Sequence, residues 1–315
     1  MTANLVIHNP VAGGGRVQAH WPAVAKALRQ AGVEFEAVAT NEPLEAMILA
    51  EQAPQKYGAV IGVGGDGTVH EIVNGLLRAS GEAQTIPMGV IPLGNGDDFA
   101  KVIPPETPIG GKAFDWRLAV EKIARGETKL FDAGRMSGDH LRPEYGEGPH
   151  YFMNGMDVGF GAHTALNYMT LPKFLKGLSA YLAAILKTMI DFPTPVVQFQ
   201  LDDQPAFEQA TTMTAITNGR CFANGFWVCP EACADDGFLD VMMAQGIGRL
   251  TIMRLIPKIM KGMHTSEPVL RMYRARRVVI ESDEPLAVEA DGEIPYHATQ
   301  HLEVEILPRR LQVFV

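Results

Sequence analysis

The residues best suited to chemistry in this chain lie where an apolar strand runs into a glycine-rich bend. Residues 59–63 form an apolar run rich in β-branched side chains, which is typical of a buried strand. The sequence Gly-Gly-Asp-Gly-Thr follows at residues 64–68, and residues 69–77 continue with an apolar pattern of helical period. The N–H groups of a helix N-terminus have no intrahelical partners, and with the helix dipole they bind phosphate oxygens well. The Asp66 carboxylate would repel phosphate unless a divalent cation lay between them, so this segment predicts a nucleotide bound with its metal.

Two further bends of the same kind support this prediction. Residues 9–16 (Asn-Pro-Val-Ala-Gly-Gly-Gly-Arg) follow the first strand, and residues 92–100 (Pro-Leu-Gly-Asn-Gly-Asp-Asp-Phe-Ala) follow a strand at residues 88–91. A single Gly-Gly-Asp-Gly would fit a tight structural turn equally well. Because ligands of open α/β sheets gather at the carboxyl ends of the strands, three such bends favour a shared ligand site.

On these three segments the chain closely resembles the bacterial diacylglycerol kinase-like lipid kinases, which are relatives of sphingosine and ceramide kinases. The resemblance extends over nearly the whole chain, because motifs in the second half also match. The family usually has Thr at the position of Asn95 and Asn at the position of Asp97. The second difference adds a negative charge near the phosphates.

The resemblance implies ATP as the phosphoryl donor and Mg²⁺ as its companion. Asp66 and Asp98 would position the catalytic Mg²⁺, and Arg16 would supply positive charge because the sequence has no P-loop Gly-Lys-Ser/Thr. The resemblance also implies that Thr40, at the end of the second predicted strand, contacts ATP. The residues expected to contact the nucleotide are Asn9, Gly13, Gly14, Gly15, Arg16, Thr40, Gly64, Gly65, Asp66, Gly67, Thr68, Val69, His70, Gly94, Asn95 and Gly96.

A turn rich in carboxylates lies in the second half of the chain, at residues 230–240. Three aspartates surround a glycine there, just before a predicted strand. Such a turn suits a hard cation, but an Asp-Gly hairpin turn that holds no metal fits the same residues. The resemblance implies a structural Mg²⁺ held by Asp236 and by the backbone carbonyls of Cys233 and Phe238, with Asp235 beside them.

A second carboxylate pair, Asp291 and Glu293, follows a predicted strand at residues 286–289. A turn alone would explain the Asp-Gly sequence. A kinase, however, needs a carboxylate to accept or orient the proton of the attacking hydroxyl, while the rest of phosphoryl transfer is positioning and charge neutralisation. The resemblance places the proton acceptor in this Asp-Gly-Glu. Glu293 is predicted to be the base, with Asp291 as the alternative base or an orienting neighbour.

Composition narrows the class of protein. The 315 residues are 47% hydrophobic and 20% charged, as expected of a folded protein with a well-buried core. The formal net charge of -9 argues against nucleic-acid binding and against electrostatic adhesion of the whole body to an anionic membrane. The three cysteines lack the spacing of a zinc site. The sequence shows no signal peptide and no uncharged apolar run of about 18–20 residues, which predicts a cytoplasmic protein that is at most peripheral at the inner face of the membrane.

The order of predicted elements indicates two domains. Strands alternate with helices in residues 1–127, which predicts an α/β nucleotide-binding domain with a doubly wound, mostly parallel sheet. One of its helices is expected at residues 43–53, with Asn41 as its N-cap. Residues 128–315 predict a β-rich antiparallel domain for the lipid acceptor, whose last strand could pack back on the first domain. The polar segment 137–149 is typical of a flexible insert, and the active site is expected in the cleft between the domains.

The strands of the second domain follow one another at short intervals. They are predicted at residues 129–135, 151–154, 196–201, 211–217, 239–243, 277–281, 286–289 and 302–307.

Two predicted helices bear on the acceptor. Residues 178–189 carry one apolar face of helical period, preceded by Lys173 and Lys176, and residues 252–263 carry an apolar side opposite three basic side chains. This pattern fits a helix at a membrane surface, a surface helix on an ordinary core, or the wall of an acyl-chain pocket. The expected partner is therefore a lipid at the membrane surface, reached by transient peripheral contact, and no nucleic acid; the oligomeric state is left open.

Three functions are compatible with these features of the sequence. The leading one is an ATP-dependent lipid kinase that phosphorylates a diacylglycerol-like hydroxyl. The second is a kinase of a soluble acceptor, since NAD kinases and phosphofructokinases have a Gly-Gly-Asp-Gly in a similar setting. The third is a nucleotide-binding regulatory module without catalysis, which four retained carboxylates argue against.

Overall fold

The computed structural model describes residues 3–172, 175, 177–192, 194–221 and 225–315. The chain forms two compact units. The first unit contains the residues up to Ala133, together with Ala234–Asp236 and Leu307–Val315, and the second contains Gly134–Cys233 and Gly237–Ile306. The first change of unit thus falls after Ala133, where the sequence pattern suggested residue 127.

The first unit alternates strands with helices. Its elements are β1 (Asn4–His8), α1 (Ala12–Gln30), β2 (Phe35–Ala39), α2 (Glu45–Gln52), β3 (Val60–Gly64), α3 (Asp66–Ser80), β4 (Met88–Pro92) and α4 (Trp116–Arg125). The strands pair in parallel in the order β2-β1-β3-β4. All residues of β3 and β4 are buried, as expected of parallel strands covered on both faces. The bends that follow β1, β3 and β4 therefore emerge at one edge of this sheet.

The core of this unit lies between the sheet and two helices. Ile61, Val63 and Ile91 of the sheet pack with side chains of α1 and α4. Near the end of the chain, Val313 pairs in parallel with Met88 and adds to the same sheet.

The cap of α2 differs from the sequence prediction. Its N-cap residue is Leu44, with φ +66° and no side-chain capping bond, so Asn41 is not the cap. Instead the Glu45 carboxylate accepts hydrogen bonds from the backbone N–H groups of Asn41, at 2.6 Å, and Glu42, at 3.3 Å. A carboxylate in the first helical turn thus satisfies backbone donors of the segment that precedes the helix.

The second unit is rich in antiparallel strands. Its elements are β5 (Thr128–Gly138, from Gly134 on), β6 (His150–Phe152), β7 (Gly155–Gly159), α5 (Phe160–Met169), α6 (Gly177–Asp191), β8 (Val196–Leu201), β9 (Phe207–Thr217), β10 (Leu239–Gln245), α7 (Arg249–Ile259), β11 (Leu270–Ala275), β12 (Arg277–Ala290) and β13 (Glu293–Phe314, up to Ile306). The strands follow the order β11-β10-β9-β7-β12-β13, and β8 pairs with β12 and β9. A continuous buried cluster of aliphatic and aromatic side chains, including Phe152, Phe199 and Tyr296, forms its core.

The segment expected to be a flexible insert, residues 137–149, is held against β13. The backbone N–H of Arg142 donates to the Pro295 carbonyl at 3.0 Å, and Leu141 forms an isolated bridge with Tyr296. Tyr145 is only 3% exposed. The polar composition of the segment therefore gave no indication that Tyr145 is buried. In the described part of the chain, no helix combines the length and apolarity needed to cross a bilayer.

Candidate active site

The first bend reverses direction through three left-handed glycines. Gly13, Gly14 and Gly15 have φ values of +61°, +69° and +90°, which glycine adopts without strain. A Cβ atom on Gly13 would collide with the carbonyl oxygen of Leu93. The first bend therefore lies directly against the third, and only glycine fits the contact.

The second and third bends touch as well. A Cβ atom added to Gly65 would lie 2.9 Å from the Cα of Gly94. The backbone N–H of Leu93 donates to the carbonyl of Gly64 at 2.8 Å. The two bends follow β3 and β4, which are neighbours in the sheet, and their close approach joins them into one surface.

Two side chains tie the bends together. Arg16 donates from Nε to the Gly13 carbonyl at 3.1 Å and from Nη2 to the Gly94 carbonyl and, at 2.7 Å, to Asn95 Oδ1. Asn9 donates from Nδ2 to Thr68 Oγ1 at 3.2 Å, which links the first bend to the second. The structure thus brings together the three segments that the sequence singled out.

The surface they form suits an anion. Gly65 is the N-cap residue of α3, and no side chain caps this helix end. Gly67 and Thr68 lie in the first turn, where backbone N–H groups point out of the helix. Thr40 follows β2, and its N–H donates to the His8 carbonyl at 2.9 Å, so it lies at the same edge of the sheet. Backbone donors, the helix dipole and a guanidinium favour phosphate.

Val69 and His70, two of the residues expected to contact the nucleotide, follow directly on the second bend. The side chains of Val69 and His70 are both buried. The Val69 N–H donates to the Gly65 carbonyl at 3.1 Å, and Asn74 Nδ2 lies 3.3 Å from Nε2 of His70. These contacts belong to the helix and its packing, and a nucleotide-binding role for either residue stays a prediction.

Three carboxylates lie beside the second and third bends. Asp66 Oδ1 accepts hydrogen bonds from the backbone N–H groups of Asp98, at 2.6 Å, and Phe99, at 3.4 Å. Removal from water raises the pKa of Asp66 to about 8, and the nearby charges of Asp98 and Asp97 add to the rise. Burial likewise raises the pKa of Asp97 to about 6, although its carboxylate accepts the Gly94 N–H at 2.8 Å.

Asp98, predicted to position the metal, has a basic partner in this structure, and its role stays a prediction. Its carboxylate is buried, and Oδ1 lies 2.5 Å from the ammonium group of Lys101. The pair lies on one turn of backbone, and the lysine neutralises the acid. Asp66 is consequently the carboxylate of this group best suited to a cation, because its charged form is otherwise disfavoured by its surroundings.

In the second unit, Asp291 and Glu293 lie at the hairpin between β12 and β13. Ala290 pairs with Glu293, and the two central residues Asp291 and Gly292 have φ values of +50° and +95°, as a type I′ turn requires. The Asp291 carboxylate is buried and accepts the N–H groups of Met153 and Asn154, each at 2.9 Å. Asp291 is thus occupied in holding the β6–β7 connection to the hairpin.

Glu293 has a different environment. It is the first residue of β13, is half-buried, and is a hydrogen-bond partner of the Tyr145 hydroxyl. Of the two candidate bases, Glu293 is therefore the one that is partly exposed, whereas Asp291 is buried.

A further pair of acids, Asp157 and Glu289, lies next to this hairpin, and neither of them was assigned a role from the sequence. The two residues are directly opposite each other in the β7–β12 ladder, and both side chains are buried. Asp157 accepts the N–H groups of Gly161, at 3.2 Å, and Ala162 at the start of α5. Burial raises the pKa of Asp157 to about 7, and it raises the pKa of Glu289 well above its ordinary value, to which the Asp157 charge adds. In the sequence, this role is indicated only by the position of Asp157 two residues before Gly-Phe-Gly. An acid placed there can accept N–H groups at the start of the helix that follows.

The turn at residues 230–240, where a bound cation is predicted, makes contacts with basic side chains. Asp235 Oδ2 lies 2.8 Å from the Lys129 ammonium group. The aromatic ring of Phe238 lies under the guanidinium groups of Arg274 and Arg276, at 4.6 and 4.8 Å. Over the described ranges, no group of three or more His, Cys, Asp or Glu side chains is arranged to hold a metal ion. A site made by Asp236 and the Cys233 and Phe238 carbonyls remains a prediction.

An apolar pocket lies inside the second unit. It encloses about 680 Å³ of empty space, part of it open to solvent. Helices α5, α6 and α7 and strands β9 and β10 line it, with side chains that include Phe160, Tyr181, Ile185, Phe226, Ile252 and Ile256.

The face of α6 that turns towards the pocket is narrower than the apolar stripe in the sequence. Ile185 and Met189 are buried, while Leu182 and Leu186 are exposed, Leu186 by 57%. Lys173 and Lys176, expected to precede this helix as a basic pair, lie outside the described residues.

Comparison with known proteins gives matches over both halves of the chain. Residues 3–136 match the diacylglycerol kinase catalytic domain, and residues 154–315 match the YegS C-terminal NAD kinase beta sandwich-like domain.

Individual relatives align over nearly the full length. The chain is 30% identical over 294 residues to the protein of Xanthomonas campestris pv. campestris (strain 8004) named "Probable lipid kinase YegS-like", covering 91% of this chain and 88% of that protein. It is 28% identical over 316 residues to the "Diacylglycerol kinase" of Mycobacterium tuberculosis (strain ATCC 25618 / H37Rv), covering 97% and 92%.

Solved structures show the same fold. A diacylglycerol kinase from Bacillus anthracis str. Sterne matches with a TM-score of 0.71 at 20% identity, covering 99% of this chain and 96% of that chain. An NAD kinase from Archaeoglobus fulgidus in complex with ATP matches with a TM-score of 0.54 at 13% identity, covering 99% and 93%.

Proposed function

Because the chain belongs to the diacylglycerol kinase and YegS-like lipid kinase family, whose members are phosphotransferases with an alcohol acceptor, we propose that it transfers the γ-phosphoryl group of ATP to the hydroxyl of a diacylglycerol-like lipid. In this proposal residues 1–127 bind the nucleotide and residues 128–315 bind the acceptor, which is taken from a membrane surface.

The observation that carries the proposal is the convergence of three glycine bends around Arg16. The backbone of these bends approaches closely, and the Arg16 guanidinium contacts both Gly94 and Asn95. Phosphoryl transfer depends mainly on positioning and on neutralising charge, and backbone amides with one fixed guanidinium supply both.

A divalent cation fits the acids beside the bends. Burial and the nearby charges of Asp98 and Asp97 raise the pKa of Asp66 to about 8, so a positive charge beside this carboxylate would stabilise its ionised form. Asp66 would hold Mg²⁺ together with phosphate oxygens and water, and Asp97 would face it from the neighbouring bend. When bound, the cation supplies charge neutralisation on the phosphates.

Glu293 is proposed as the proton acceptor. The acceptor hydroxyl attacks the γ-phosphorus, the new O–P bond forms as the bond to the β–γ bridging oxygen breaks, and ADP leaves. The hydroxyl proton passes to the Glu293 carboxylate. An ordinary carboxylate is a weak base towards an alcohol, so the proton is transferred late, when the O–P bond is largely formed.

The apolar pocket of the second unit supports a lipid acceptor. Its walls are nearly all aliphatic and aromatic, and the space between them is partly open to solvent. Burial of a hydrocarbon chain there would remove it from water, which stabilises the complex by roughly 0.8 kcal/mol for each CH₂ group. A soluble acceptor such as NAD would derive little binding from such walls.

The test is transfer of label from γ-³²P-ATP with Mg²⁺ to acceptors presented singly. Diacylglycerol in mixed micelles, phosphatidylglycerol, a sphingoid base and NAD would be compared, with products separated by thin-layer chromatography and identified by mass. Label in a lipid phosphate and none in NADP is the expected result. Asp66→Asn should abolish transfer while the circular dichroism spectrum is unchanged. Label in NADP alone, or full turnover by Asp66→Asn, would overturn the proposal.

A further inference from the structure

We propose that the Asp97 carboxylate acts as an internal anion of the phosphate-binding surface. It accepts the Gly94 N–H group that a phosphate oxygen would otherwise accept, and it thereby lowers the affinity for the nucleotide. The inference rests on the proposed function, because it assumes that the glycine bends bind a triphosphate.

The contact lies within the third bend. The backbone N–H of Gly94 donates to Asp97 Oδ1 at 2.8 Å. Asp97 itself has a φ of +51°, a left-handed conformation that Asp and Asn tolerate better than other residues with a side chain. The side chain is half-buried, so the carboxylate is fixed to the bend without being shut off from a ligand.

This carboxylate lies on the surface that suits phosphate. A Cβ atom added to Gly94 would collide both with Asp97 Oδ1 and with the Cα of Gly65. Gly65 is the N-cap residue of α3, whose first N–H groups point out of the helix. Asp97 therefore places a negative charge where the third bend meets the helix N-terminus, which is the place that electrostatics favours for a phosphate group.

Gly94 is also held by a basic side chain. Arg16 Nη2 donates to the Gly94 carbonyl and, at 2.7 Å, to Asn95 Oδ1. The N–H and the carbonyl of Gly94 thus contact a carboxylate and a guanidinium, respectively. When a phosphate oxygen replaces the carboxylate as the acceptor of the N–H, the guanidinium contact with the bend is kept and its charge favours the phosphate.

The cost of this exchange depends on the charge of residue 97. A hydrogen bond to an ionised acceptor is roughly twice as strong as a neutral one, and the displaced carboxylate also repels the incoming phosphate. Asp97→Asn removes the charge, keeps an acceptor oxygen for the Gly94 N–H and tolerates the left-handed conformation. The variant therefore lowers both costs while it preserves the turn.

Other roles of Asp97 predict different results. If its side chain only closes the bend, Asp97→Asn leaves the nucleotide affinity unchanged, since Asn accepts the same N–H. If Asp97 is a ligand of the divalent cation, the substitution weakens the binding of ATP with Mg²⁺. An internal anion predicts the opposite direction, which is tighter binding.

The experiment is isothermal titration calorimetry at pH 8, where Asp97 is ionised. The ATP analogue AMP-PNP is titrated into the wild type and into Asp97→Asn, once in EDTA and once with Mg²⁺. We expect the Kd of the variant to be about 10-fold lower in EDTA, where the analogue carries its full charge, and about 3-fold lower with Mg²⁺, which neutralises part of that charge. Asp139→Asn, which removes an exposed carboxylate elsewhere, is the control for net charge and should bind as the wild type does.

A second variant covers the case in which Asp97→Asn does not fold. Asp97→Gly adopts the left-handed conformation without strain and removes the acceptor from the Gly94 N–H altogether. It should bind AMP-PNP in EDTA at least as tightly as the wild type, although the bend loses an ordering contact. Circular dichroism spectra would show that each variant is folded.

The possible failures are distinguishable. If the wild type phosphorylates no lipid but Asp97→Asn binds the analogue more tightly, the proposed function fails and the inference about Asp97 stands. If lipid is phosphorylated and neither variant gains affinity, the inference is wrong while the proposed function stands. Weaker binding by Asp97→Asn with Mg²⁺ also overturns the inference. If none of the proteins binds the analogue, both proposals are wrong.

Discussion

Gly65 and Gly94, which lie in separate bends, approach so closely that a Cβ atom on Gly65 would be 2.9 Å from the Cα of Gly94. The two glycines follow neighbouring parallel strands, β3 and β4, and Leu93 donates to the Gly64 carbonyl beside them. The phosphate-binding surface proposed here therefore depends on backbone contact that no side chain can replace.

Gly65→Ala should disrupt this surface. The added methyl group forces the second and third bends apart, and overpacking of this kind costs about 1–3 kcal/mol of stability. We expect a lower melting temperature and a KM for ATP raised about 10-fold, because the displaced bends misplace their N–H groups. Gly248→Ala is the control, since a Cβ atom on Gly248 meets no described atom within 4 Å. A KM for ATP that matches that of the control would contradict this view of the bends.

Arg16 should be essential for nucleotide use and nearly neutral for folding. Its guanidinium contacts the Gly13 and Gly94 carbonyls and Asn95, and it is the cation that joins these bends. Arg16→Lys cannot reproduce this forked geometry, so kcat/KM for ATP should fall about 10- to 100-fold. Lys26→Ala, an exposed cation on the same helix, should have no effect. Steady-state kinetics at fixed lipid concentration would measure both variants.

The sequence alone predicted the parts of this molecule that depend on local pattern. The two-domain organisation, with an N-terminal catalytic domain and a C-terminal β-sandwich-like domain, is confirmed by the family matches. Apolar runs of β-branched residues located the buried strands well, and residues 196–201 coincide with β8. The glycine bends were recognisable because their composition is unusual.

What the sequence could not show depends on contacts between distant residues. Strand β11 was missed because Arg271 and Arg274 break its apolar alternation, although pairing with β10 makes it extended. The burial of Tyr145 was not predicted, because its segment is polar and is held in place by contacts with β13, which is distant in the sequence. The ion pair between Asp98 and Lys101, at 2.5 Å, was likewise not evident from the local pattern. The roles of the site residues themselves remain proposals.

The pocket predicts a dependence on acyl-chain length. Ile252 of α7 lines the pocket, so Ile252→Trp would fill part of it. Transfer to a diacylglycerol with long chains should fall more than 10-fold, while transfer to a dioctanoyl analogue should change little, because each excluded CH₂ group forfeits roughly 0.8 kcal/mol. Met253→Trp, next to it but exposed, is the matched control. Equal losses on both chain lengths would argue that the pocket does not hold the acyl chain.

We expect Asp291 to contribute to stability and Glu293 to contribute to catalysis. Asp291→Asn keeps the left-handed turn, which Asn tolerates, but removes the charge that accepts N–H groups of Met153, Asn154 and Gly155. We expect the free energy of unfolding to fall by about 2–3 kcal/mol. Glu293→Gln should leave it within about 0.5 kcal/mol, as for other surface changes, and abolish turnover. Denaturant unfolding and kinase assays on both variants would show whether the assignments are reversed.

Asp157 should make the protein less stable as the pH rises from about 4 to about 7. Its pKa is about 7 in the folded protein and 3.8 as an isolated group, because burial disfavours the charge. The folded state therefore binds the proton more tightly than the unfolded state. The resulting stabilisation is complete below about pH 4 and is lost as the pH rises through 7. Asp157→Asn has no such proton, so between pH 5 and pH 8 its melting temperature should decline less steeply than that of the wild type. Glu289 titrates in the same direction and remains in the variant, so part of the slope should persist. Parallel melting curves for the two proteins across this range would show that the Asp157 carboxyl is already ionised in the folded state.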